Sequence, residues 1–475
     1  MLKKIKHLLK KQIFKKKDGT IIATEEGPFK KKELLEMPVL KAIVVLSVPL
    51  VLTNILFTLY QIIDAFWVGQ LGKEAVAAIA LSFPIFFIVN AGVMGLTIAG
   101  TILVSQYKGK KDQKNINFIS AQTTSLLLIL GIIITLIGFI FAPQIVNLFG
   151  QEANVNELAT IYLAIVFLGT IGQFIYTGFS SILRGLGEVK LPLLIVFVTV
   201  ILNFFLDPIF MLGLFGFPRM GIAGIAWATT ITQSISALIA IIWLIKFKNH
   251  IHIQKKDLMP KKEAIVLLLK LGIPATIEFL SRSIGMLLVT FIVSGFGTIA
   301  LAAFGIGMRI ASFVLIPSFG ISMAINTLIG QNLGAGRIKE TNETTQKGML
   351  LSFVFMSTLG LITYFLAPLL AGMFIAGNEI EVLKEATSFL QLFSLGLGFL
   401  GGHIVIVSTY RGAGDTKTAM NLSIFYVIEQ TILCAIGGYF FGLSGIWMAY
   451  LLSNTLIVII TQLYYLKNPI TKSIV

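Results

Sequence analysis

Two aspartates embedded in long apolar runs are the residues best placed to do chemistry in this sequence. Asp64 lies in Tyr60-Gln-Ile-Ile-Asp64, and Asp207 lies in Asn203-Phe-Phe-Leu-Asp207-Pro208. Asn203 and Asp207 are four residues apart and therefore share one face of a helix. Burial favours the protonated form of a carboxyl group, and a second carboxylate nearby favours it further. Such acids either exchange a proton or bind Na⁺ through oxygen ligands, or they are hydrogen-bonded groups that serve packing alone.

The other ionisable residues in apolar sequence have weaker claims to a chemical role. Glu278 and Arg282 are one helical turn apart, so they either form a structural ion pair or face a substrate. We interpret Arg309 and Glu429 as structural and the lone His403 as a packing residue. One cysteine and four histidines exclude an internal disulfide framework and a thiolate metal site. We therefore expect no cofactor, and no enzyme, since no nucleophile and base stand out.

These residues must be positioned by membrane-spanning helices. The chain of 475 residues is only 12% charged and has a mean hydropathy of +0.90, whereas a soluble domain is roughly a quarter charged. The apolar runs lack the alternation of barrel strands. A helix needs about 20 apolar residues to cross a bilayer, and twelve segments qualify: 42–68, 76–106, 118–141, 157–183, 191–212, 222–245, 264–293, 299–331, 346–368, 383–408, 418–437 and 445–466. The sequence predicts an all-α integral membrane protein with about twelve transmembrane helices.

The basic residues orient these helices. Cytoplasmic loops are enriched in Lys and Arg, and 32 of the 37 fall on one side of the predicted topology, with three on the other side and two within spans. We therefore expect a multi-pass protein of the cytoplasmic membrane with both termini in the cytoplasm. Residues 1–41 carry twelve lysines, which we interpret as attracted to anionic lipid. A nucleic-acid-binding arm is the alternative, but nothing else in the sequence favours a nucleic-acid partner.

The second half of the chain repeats the first. Gln106 aligns with Gln331 at an offset of 225 residues, and the motif Arg-Gly-x-Gly at 184–187 aligns with that at 411–414 at an offset of 227. Each half then holds six helices, so the halves are parallel repeats related by an axis along the membrane normal. The predicted organisation is a basic tail (1–41), an N-lobe (42–245), a cytoplasmic linker (246–263), a C-lobe (264–466) and a cytoplasmic tail (467–475). Transporters of this build bind their substrate between the halves.

The two acids do not follow the repeat. Asp64 aligns with Val289, and Asp207 aligns with Cys434. Because the duplicated scaffold accommodates apolar residues at these positions, we expect the acids to serve something other than the fold.

Several motifs together give the sequence a family resemblance. They are Gly330-Gln-Asn-Leu-Gly-Ala-Gly-Arg337, the paired motifs at 184–190 and 411–417, and the run Asp-Ala-Phe-Trp-Val-Gly-Gln-Leu-Gly at 64–72. With the duplicated twelve-helix layout, they resemble the multidrug and toxic compound extrusion (MATE) family, and most closely its DinF-like prokaryotic branch. The resemblance covers nearly the whole chain after residue 41. It implies a monomeric secondary active antiporter that exports amphipathic, often cationic, compounds in exchange for H⁺ or Na⁺.

The same resemblance implies a cation-coupling site in the N-lobe. The branch carries an aspartate in the first helix, a tyrosine in the fourth, an Asn-x-x-x-Asp pair in the fifth and a threonine in the sixth. The matching residues here are Asp64, Tyr162, Asn203, Asp207 and Thr229. Na⁺, if it is the ion, would be held by Asp64, Asn203 and Asp207. The proline that bends the first helix of the branch corresponds to Pro49.

The sequence departs from other branches of the family in the C-lobe. The NorM-like and plant branches use a glutamate two turns after a proline in the seventh helix, whereas Glu278 follows Pro274 by one turn. We therefore favour the N-lobe for cation coupling. A flippase for lipid-linked precursors is the rival interpretation, and it would be expected to carry several cationic residues for a diphosphate headgroup. Only Arg282 and Arg309 lie within spans, and the N-lobe candidates are acidic, which disfavours the flippase.

Overall fold

The computed structural model describes residues 34–246, 251–375 and 379–475, together with the segments 14–17 and 20–23. These two segments are short antiparallel strands, β1 (Phe14–Lys17) and β2 (Thr20–Ala23). The predicted association of the basic tail with lipid falls mostly outside the described residues. A 3-10 turn, Leu34–Glu36, precedes the first long helix.

Six long helices form the first half of the chain. These helices carry more apolar side chains than the buried core contains. Many of the large apolar side chains are exposed on the outer faces of the helices, where they can contact lipid. The helices are α1 (Val39–Gly69), α2 (Lys73–Gly109), α3 (Gln113–Asn147), α4 (Ala153–Leu186), α5 (Lys190–Leu212) and α6 (Ile222–Lys246).

The second half repeats this layout with two breaks. Its helices are α7 (Lys262–Ser294), α8 (Thr298–Gly334), α9 (Ile338–Gly372), α10 (Ile380–Leu395), α11 (Leu397–Ala413) and α12 (Thr416–Lys467). α10 and α11 meet at a bend of 51° and together form one broken span. α12 is 52 residues long but leaves helical geometry at Gly442 (φ 64°, ψ −150°), so it is two spans in sequence.

The predicted count of spans is confirmed. Over the described ranges, ten helices are long and apolar enough to cross a membrane, and the bent pair α10 and α11 adds an eleventh. Each half of α12 is about 25 residues, or roughly 38 Å, which suffices for a bilayer, so the break at Gly442 makes twelve. The helices run several residues beyond the predicted ends because polar first and last turns continue the helix outside the apolar region. α9, for example, begins at Ile338, two turns before the predicted start at 346.

The repeat is visible in backbone geometry as well as in sequence. Gly187 ends α4 with φ 84°, and its repeat equivalent Gly414 ends α11 with φ 90°. Each donates its N–H to the carbonyl of the arginine three residues earlier, Arg184 or Arg411, at 2.9 Å. Such positive φ values favour glycine, which explains why this motif reads Arg-Gly-x-Gly twice.

Each lobe has its own core. In the C-lobe, Phe304, Phe389, Trp447 and Tyr450 form a fully packed aromatic cluster, with the Phe389 and Trp447 ring centroids 4.9 Å apart. The N-lobe core is more aliphatic and centres on residues such as Leu163 and Phe167. Two further hydrophobic clusters cross the lobe boundary: one joins α1 to α8 and α11, and the other joins N-lobe helices to the start of α7.

The two lobes are pressed together at one end, which we call the basic end and define by the turns 110–112, 187–189, 335–337 and 414–415. There the backbones touch: a Cβ placed on Gly109 would collide with the Gln331 carbonyl, and one on Gly334 would collide with the Gln106 carbonyl. Nearer the middle of the helices, Phe87 of the N-lobe stacks on Phe279 of the C-lobe at 5.4 Å.

Candidate cation-coupling site

Four helices of the N-lobe converge on the predicted acidic residues. α1 carries Asp64, α4 carries Tyr162, α5 carries Asn203 and Asp207, and α6 carries Thr229. α5 packs against both α1 and α6, and α4 packs against α6. The structure thus brings together all five side chains that the resemblance placed in one site.

Asp207 and Asn203 form the fully buried half of the site. Both are 0% exposed, and Asn203 Nδ2 donates a hydrogen bond to Asp207 Oδ1 at 3.1 Å. Their four-residue spacing on α5 produces this contact directly. α1 packs against α5, and Asp64 on α1 is close enough to Asp207 on α5 for their charges to interact. Two acids therefore share one buried pocket.

Thr229 and two tyrosines complete the polar surroundings. Thr229 Oγ1 donates to Asp64 Oδ2 at 3.4 Å, and Tyr60 OH lies 3.3 Å from Thr232 Oγ1. Tyr162 is 7% exposed and lies near the charges of both aspartates. Sequence reasoning missed Tyr60 and Thr232, although Tyr60 lies one turn before Asp64 and this spacing was visible.

Three oxygens of the site are left without donors. Asp64 Oδ1, Asn203 Oδ1 and Asp207 Oδ2 are buried and accept no hydrogen bond from the part of the chain that the structure describes. A buried acceptor without a partner is costly, so a proton on a carboxylate, a cation or a water molecule would stabilise these oxygens. Carboxylate and amide oxygens are the ligands that hard cations prefer. The arrangement can therefore bind either H⁺ or Na⁺.

Pro49 lies within α1, which continues as one helix from Val39 to Gly69. Its carbonyl accepts a hydrogen bond from Thr53 Oγ1 at 2.8 Å. Proline lacks the N–H that would bond to the carbonyl one turn earlier, so the helix is weakened at this level. Pro49 is 15 residues from Asp64, or roughly 22 Å along the helix, and is not part of the site.

The C-lobe contains a different polar cluster around Glu278. Glu278 Oε1 accepts a hydrogen bond from Arg411 Nη2 at 2.6 Å and another from Arg282 Nη2 at 3.2 Å. The Glu278 side chain is 5% exposed, and that of Arg411 is 12% exposed. Arg411 was counted as a loop residue from the sequence, but α11 extends to Ala413 and carries it inward. Sequence reasoning found Arg282 from its spacing and missed Arg411, which is distant in sequence and belongs to a turn motif.

The charges in this cluster do not resemble those of the N-lobe site. The carboxylate of Glu278 is paired with two guanidinium groups, so its negative charge is balanced by the neighbouring arginines.

Within the described residues, no group of three or more His, Cys, Asp and Glu side chains is suited to hold a metal ion. His403 is 1% exposed, and neither of its ring nitrogens has a hydrogen-bond partner in the described part of the chain.

The repeat equivalents of the two acids are core residues. Val289 and Cys434 are both 0% exposed and belong to the same hydrophobic cluster of the C-lobe. The same scaffold positions therefore hold apolar packing in one lobe and paired carboxylates in the other.

Two parallel six-helix lobes, each with its own core, define a duplicated polytopic membrane transporter. The MatE family model matches residues 49–209 and again residues 274–436, and the chain belongs to this family. The two matches begin 225 residues apart and end 227 residues apart, the same offsets that relate the halves of the sequence.

Curated relatives span nearly the whole chain. It is 28% identical over 434 residues to the probable multidrug resistance protein YoeA of Bacillus subtilis, covering 90% of this chain and 93% of the relative. It is 31% identical over 424 residues to the probable multidrug resistance protein YpnP of the same organism, covering 88% and 93%.

Solved structures show the same fold. A structure described as the outward-facing conformation of a multidrug resistance MATE family transporter superposes with a TM-score of 0.84. It is 25% identical, and the match covers 92% of this chain and 97% of that one. The relatives with similar sequences and structures are transporters, not enzymes.

Proposed function

We propose that the protein is an antiporter that exports amphipathic, often cationic, compounds in exchange for H⁺ or Na⁺ entering the cell. The observation that supports this most is the acid pair of Asp64 and Asp207. Each carboxylate has one buried oxygen without a donor among the described residues, and the two acids are close enough for their charges to interact. The names of the curated relatives, which refer to multidrug resistance, support the export of drugs.

Exchange follows from competition for charge in the N-lobe. With both acids ionised, the pocket is negative and attracts a cationic substrate. When a proton or Na⁺ binds at Asp64 and Asp207, the negative charge of the pocket is reduced and that attraction is weakened. Because each ligand binds the charge state that the other disfavours, loading of the coupling ion promotes release of the substrate.

Alternating access between the lobes would carry this exchange across the membrane. The contacts between the lobes cluster at the basic end, where Gly109 and Gly334 meet the opposite lobe. If the positive-inside rule holds for this chain, the basic end is cytoplasmic and both termini lie there. The described state is then closed to the cytoplasm, and the N-lobe site would be reached from outside. Rocking of the lobes would reverse this.

The acidic N-lobe disfavours a flippase for anionic lipid precursors. A diphosphate headgroup would be repelled by two ionised carboxylates in a buried site. In the C-lobe, the charge of Arg411 is already shared with Glu278 at 2.6 Å. The charge distribution fits a cationic cargo better than an anionic one.

The test is efflux of a cationic dye from proteoliposomes with a pH gradient and a Na⁺ gradient imposed separately. We expect one gradient to drive export by the native protein, and Asp64→Asn and Asp207→Asn each to abolish it. Asp415→Asn is the matched control, because this exposed carboxylate caps α12 through Thr418 N–H at 3.1 Å and lies far from the site. Gradient-driven efflux that survives both N-lobe substitutions would refute the coupling role.

A further inference from the structure

Two glutamines hydrogen-bond across the lobe boundary in a reciprocal pattern. Gln106 of α2 donates from Nε2 to the Gly412 carbonyl at 3.1 Å, and Gln331 of α8 donates from Nε2 to the Gly185 carbonyl at 2.9 Å. Gln106 is 0% exposed and Gln331 is 3% exposed. The glutamines are repeat equivalents, and so are the two glycines, so the two bonds are related by the pseudo-twofold axis.

The backbones at these glutamines are also in direct contact. The carbonyl of Gln106 lies against Gly334, and the carbonyl of Gln331 lies against Gly109. Each glutamine therefore holds the opposite lobe twice, by its side chain and by its backbone. Any separation of the lobes at the basic end must break both hydrogen bonds together.

Two segments near the ends of the described chain, residues 34–35 and 473–474, pack against this contact. Leu34 packs on the Gly187 turn of the N-lobe, while the neighbouring Leu35 carbonyl accepts a hydrogen bond from Arg337 Nη1 of the C-lobe at 2.5 Å. The segment thus joins both lobes.

The other segment does the same from the C-lobe side. Ile474 packs on the Gly414 turn, the repeat equivalent of Gly187. Ser473 Oγ and Ile474 N donate to Gln106 Oε1 at 2.8 Å and 3.1 Å. These two bonds fix the amide orientation, so that Nε2 points at the Gly412 carbonyl.

We infer that Gln106 and Gln331 are positioning residues of the transport cycle, which together with the Gly185 and Gly412 carbonyls form an inter-lobe latch. The latch stabilises the state closed at the basic end. This inference rests on the alternating access proposed above and adds residues that neither bind the ion nor contact the acid pair.

Neutral hydrogen bonds suit a contact that must open in every cycle. When the lobes separate, water can solvate both the amide and the carbonyl, so the net stabilisation of each bond is small. A buried ion pair would be harder to reverse, since separation leaves charges to be solvated. The Glu278 and Arg411 pair lies within the C-lobe and moves with it, and it therefore cannot serve as the latch.

The experiment measures distances between spin labels at both ends of the protein. Lys114→Cys and Lys339→Cys place labels on repeat-equivalent exposed residues of the two lobes at the basic end. Lys73→Cys and Thr298→Cys report on the opposite end in the same way. The native Cys434 is 0% exposed, so labelling of the chain without introduced cysteines provides the background.

Gln331→Ala is expected to raise the ratio of open to closed basic ends by about two- to twelve-fold, the range for one neutral hydrogen bond. Gln106→Ala should raise the ratio at least as much, because it also removes the acceptor for Ser473 and Ile474. The double variant should show a larger shift, with a matching shorter distance at the opposite end. Gln331→Glu keeps the side-chain shape and removes the donor, which covers the case in which an alanine variant fails to fold.

Gln173→Ala is the control, because this glutamine donates to Asn90 at 2.9 Å inside the N-lobe. Distance distributions that match the parent in Gln106→Ala, Gln331→Ala and Gln331→Glu would overturn the latch, as would an equal shift in Gln173→Ala. The distances are recorded without substrate or ion gradient. A failure of the antiport proposal is therefore seen in efflux, and a failure of the latch is seen in the distances.

Discussion

Thr229 Oγ1 lies 3.4 Å from Asp64 Oδ2, although the two residues are 165 positions apart in sequence. The contact joins α6 to α1, and α5 places Asn203 and Asp207 beside it. The hydroxyl satisfies one oxygen of Asp64 and leaves Oδ1 without a donor among the described residues. Asp64 is therefore held in place on one side and available to a coupling ion on the other.

Replacing Thr229 with alanine tests this positioning. Thr229→Ala removes the donor that stabilises ionised Asp64, and we expect the coupling ion to half-saturate the site at an about tenfold lower concentration, the lower range for a hydrogen bond to a charged group. Thr229→Ser keeps the hydroxyl and should behave like the native protein. The neighbouring Thr230 donates to the Ile165 carbonyl instead, so Thr230→Ala should leave the ion dependence unchanged. Equal effects of Thr229→Ala and Thr230→Ala would contradict the assignment.

Glu278 gives the opposite prediction, a loss of stability rather than of coupling. Glu278→Gln leaves Arg411 and Arg282 without their shared carboxylate, and breaking a buried pair costs about 3 kcal/mol. We expect a clearly lower melting temperature in detergent, with ion-dependent efflux retained in the protein that remains folded. Arg282→Gln should cost less, because the Arg282 side chain is 29% exposed. Efflux that loses its ion dependence in stable Glu278→Gln protein would move the coupling site to the C-lobe.

Most of the fold was predictable from local sequence. The length of the apolar runs predicts the membrane spans, and the 225-residue offset predicts the two lobes. Both signals extend over many residues, so small errors at helix ends do not change them. The bend between Leu395 and Leu397 was not predicted, since the residues on both sides of it are apolar and Gly396, which stands at the bend, is only one of several glycines in this segment. The length of α9 was underestimated because its first two turns are polar.

The candidate site was predictable where residues are close in sequence or match a family motif. Asn203 and Asp207 follow from four-residue spacing, and Thr229 required the family resemblance. Arg411 and Tyr60 were missed for different reasons. Arg411 reaches Glu278 across 133 positions, and no local pattern encodes that contact. Tyr60 stands one helical turn before Asp64, but aromatic residues are common in membrane helices and carry little signal by themselves.

Gly334 provides a steric test of the contact between lobes. A methyl group on Gly334 would collide with the Gln106 carbonyl, so Gly334→Ala should prevent full closure of the basic end. Spin labels on Lys114→Cys and Lys339→Cys should then report longer distances, and transport should slow by at least severalfold. Gly305→Ala on the same helix is the control, because no neighbouring atom of the described residues lies within 4 Å of its Cβ position. A Gly334→Ala protein with the native distance distribution would contradict the close approach.

Asp112 gives a prediction for pH dependence outside the membrane-spanning segments. It caps α3, and the backbone N–H of Asn115 holds the pKa of its carboxyl below the ordinary value. A depressed folded pKa means that its stabilisation is present above the unfolded pKa, near 4, and is lost as pH falls through the folded pKa. Asp112→Ala should cost about 1 kcal/mol near neutral pH, as for other helix caps. Asp112→Asn should retain most of the cap and lose this acid sensitivity, which melting curves between pH 3 and 7 would show.

The most direct test of the antiport mechanism is competition between ion and substrate at the acid pair. Binding of a cationic dye to the purified protein would be measured by fluorescence while pH and Na⁺ concentration are varied separately. The mechanism predicts that the coupling ion weakens dye binding in the native protein, and that Asp64→Asn and Asp207→Asn bind dye weakly and without ion dependence. Dye binding that is equally tight at every pH and Na⁺ concentration, or ion competition that persists in both variants, would contradict it.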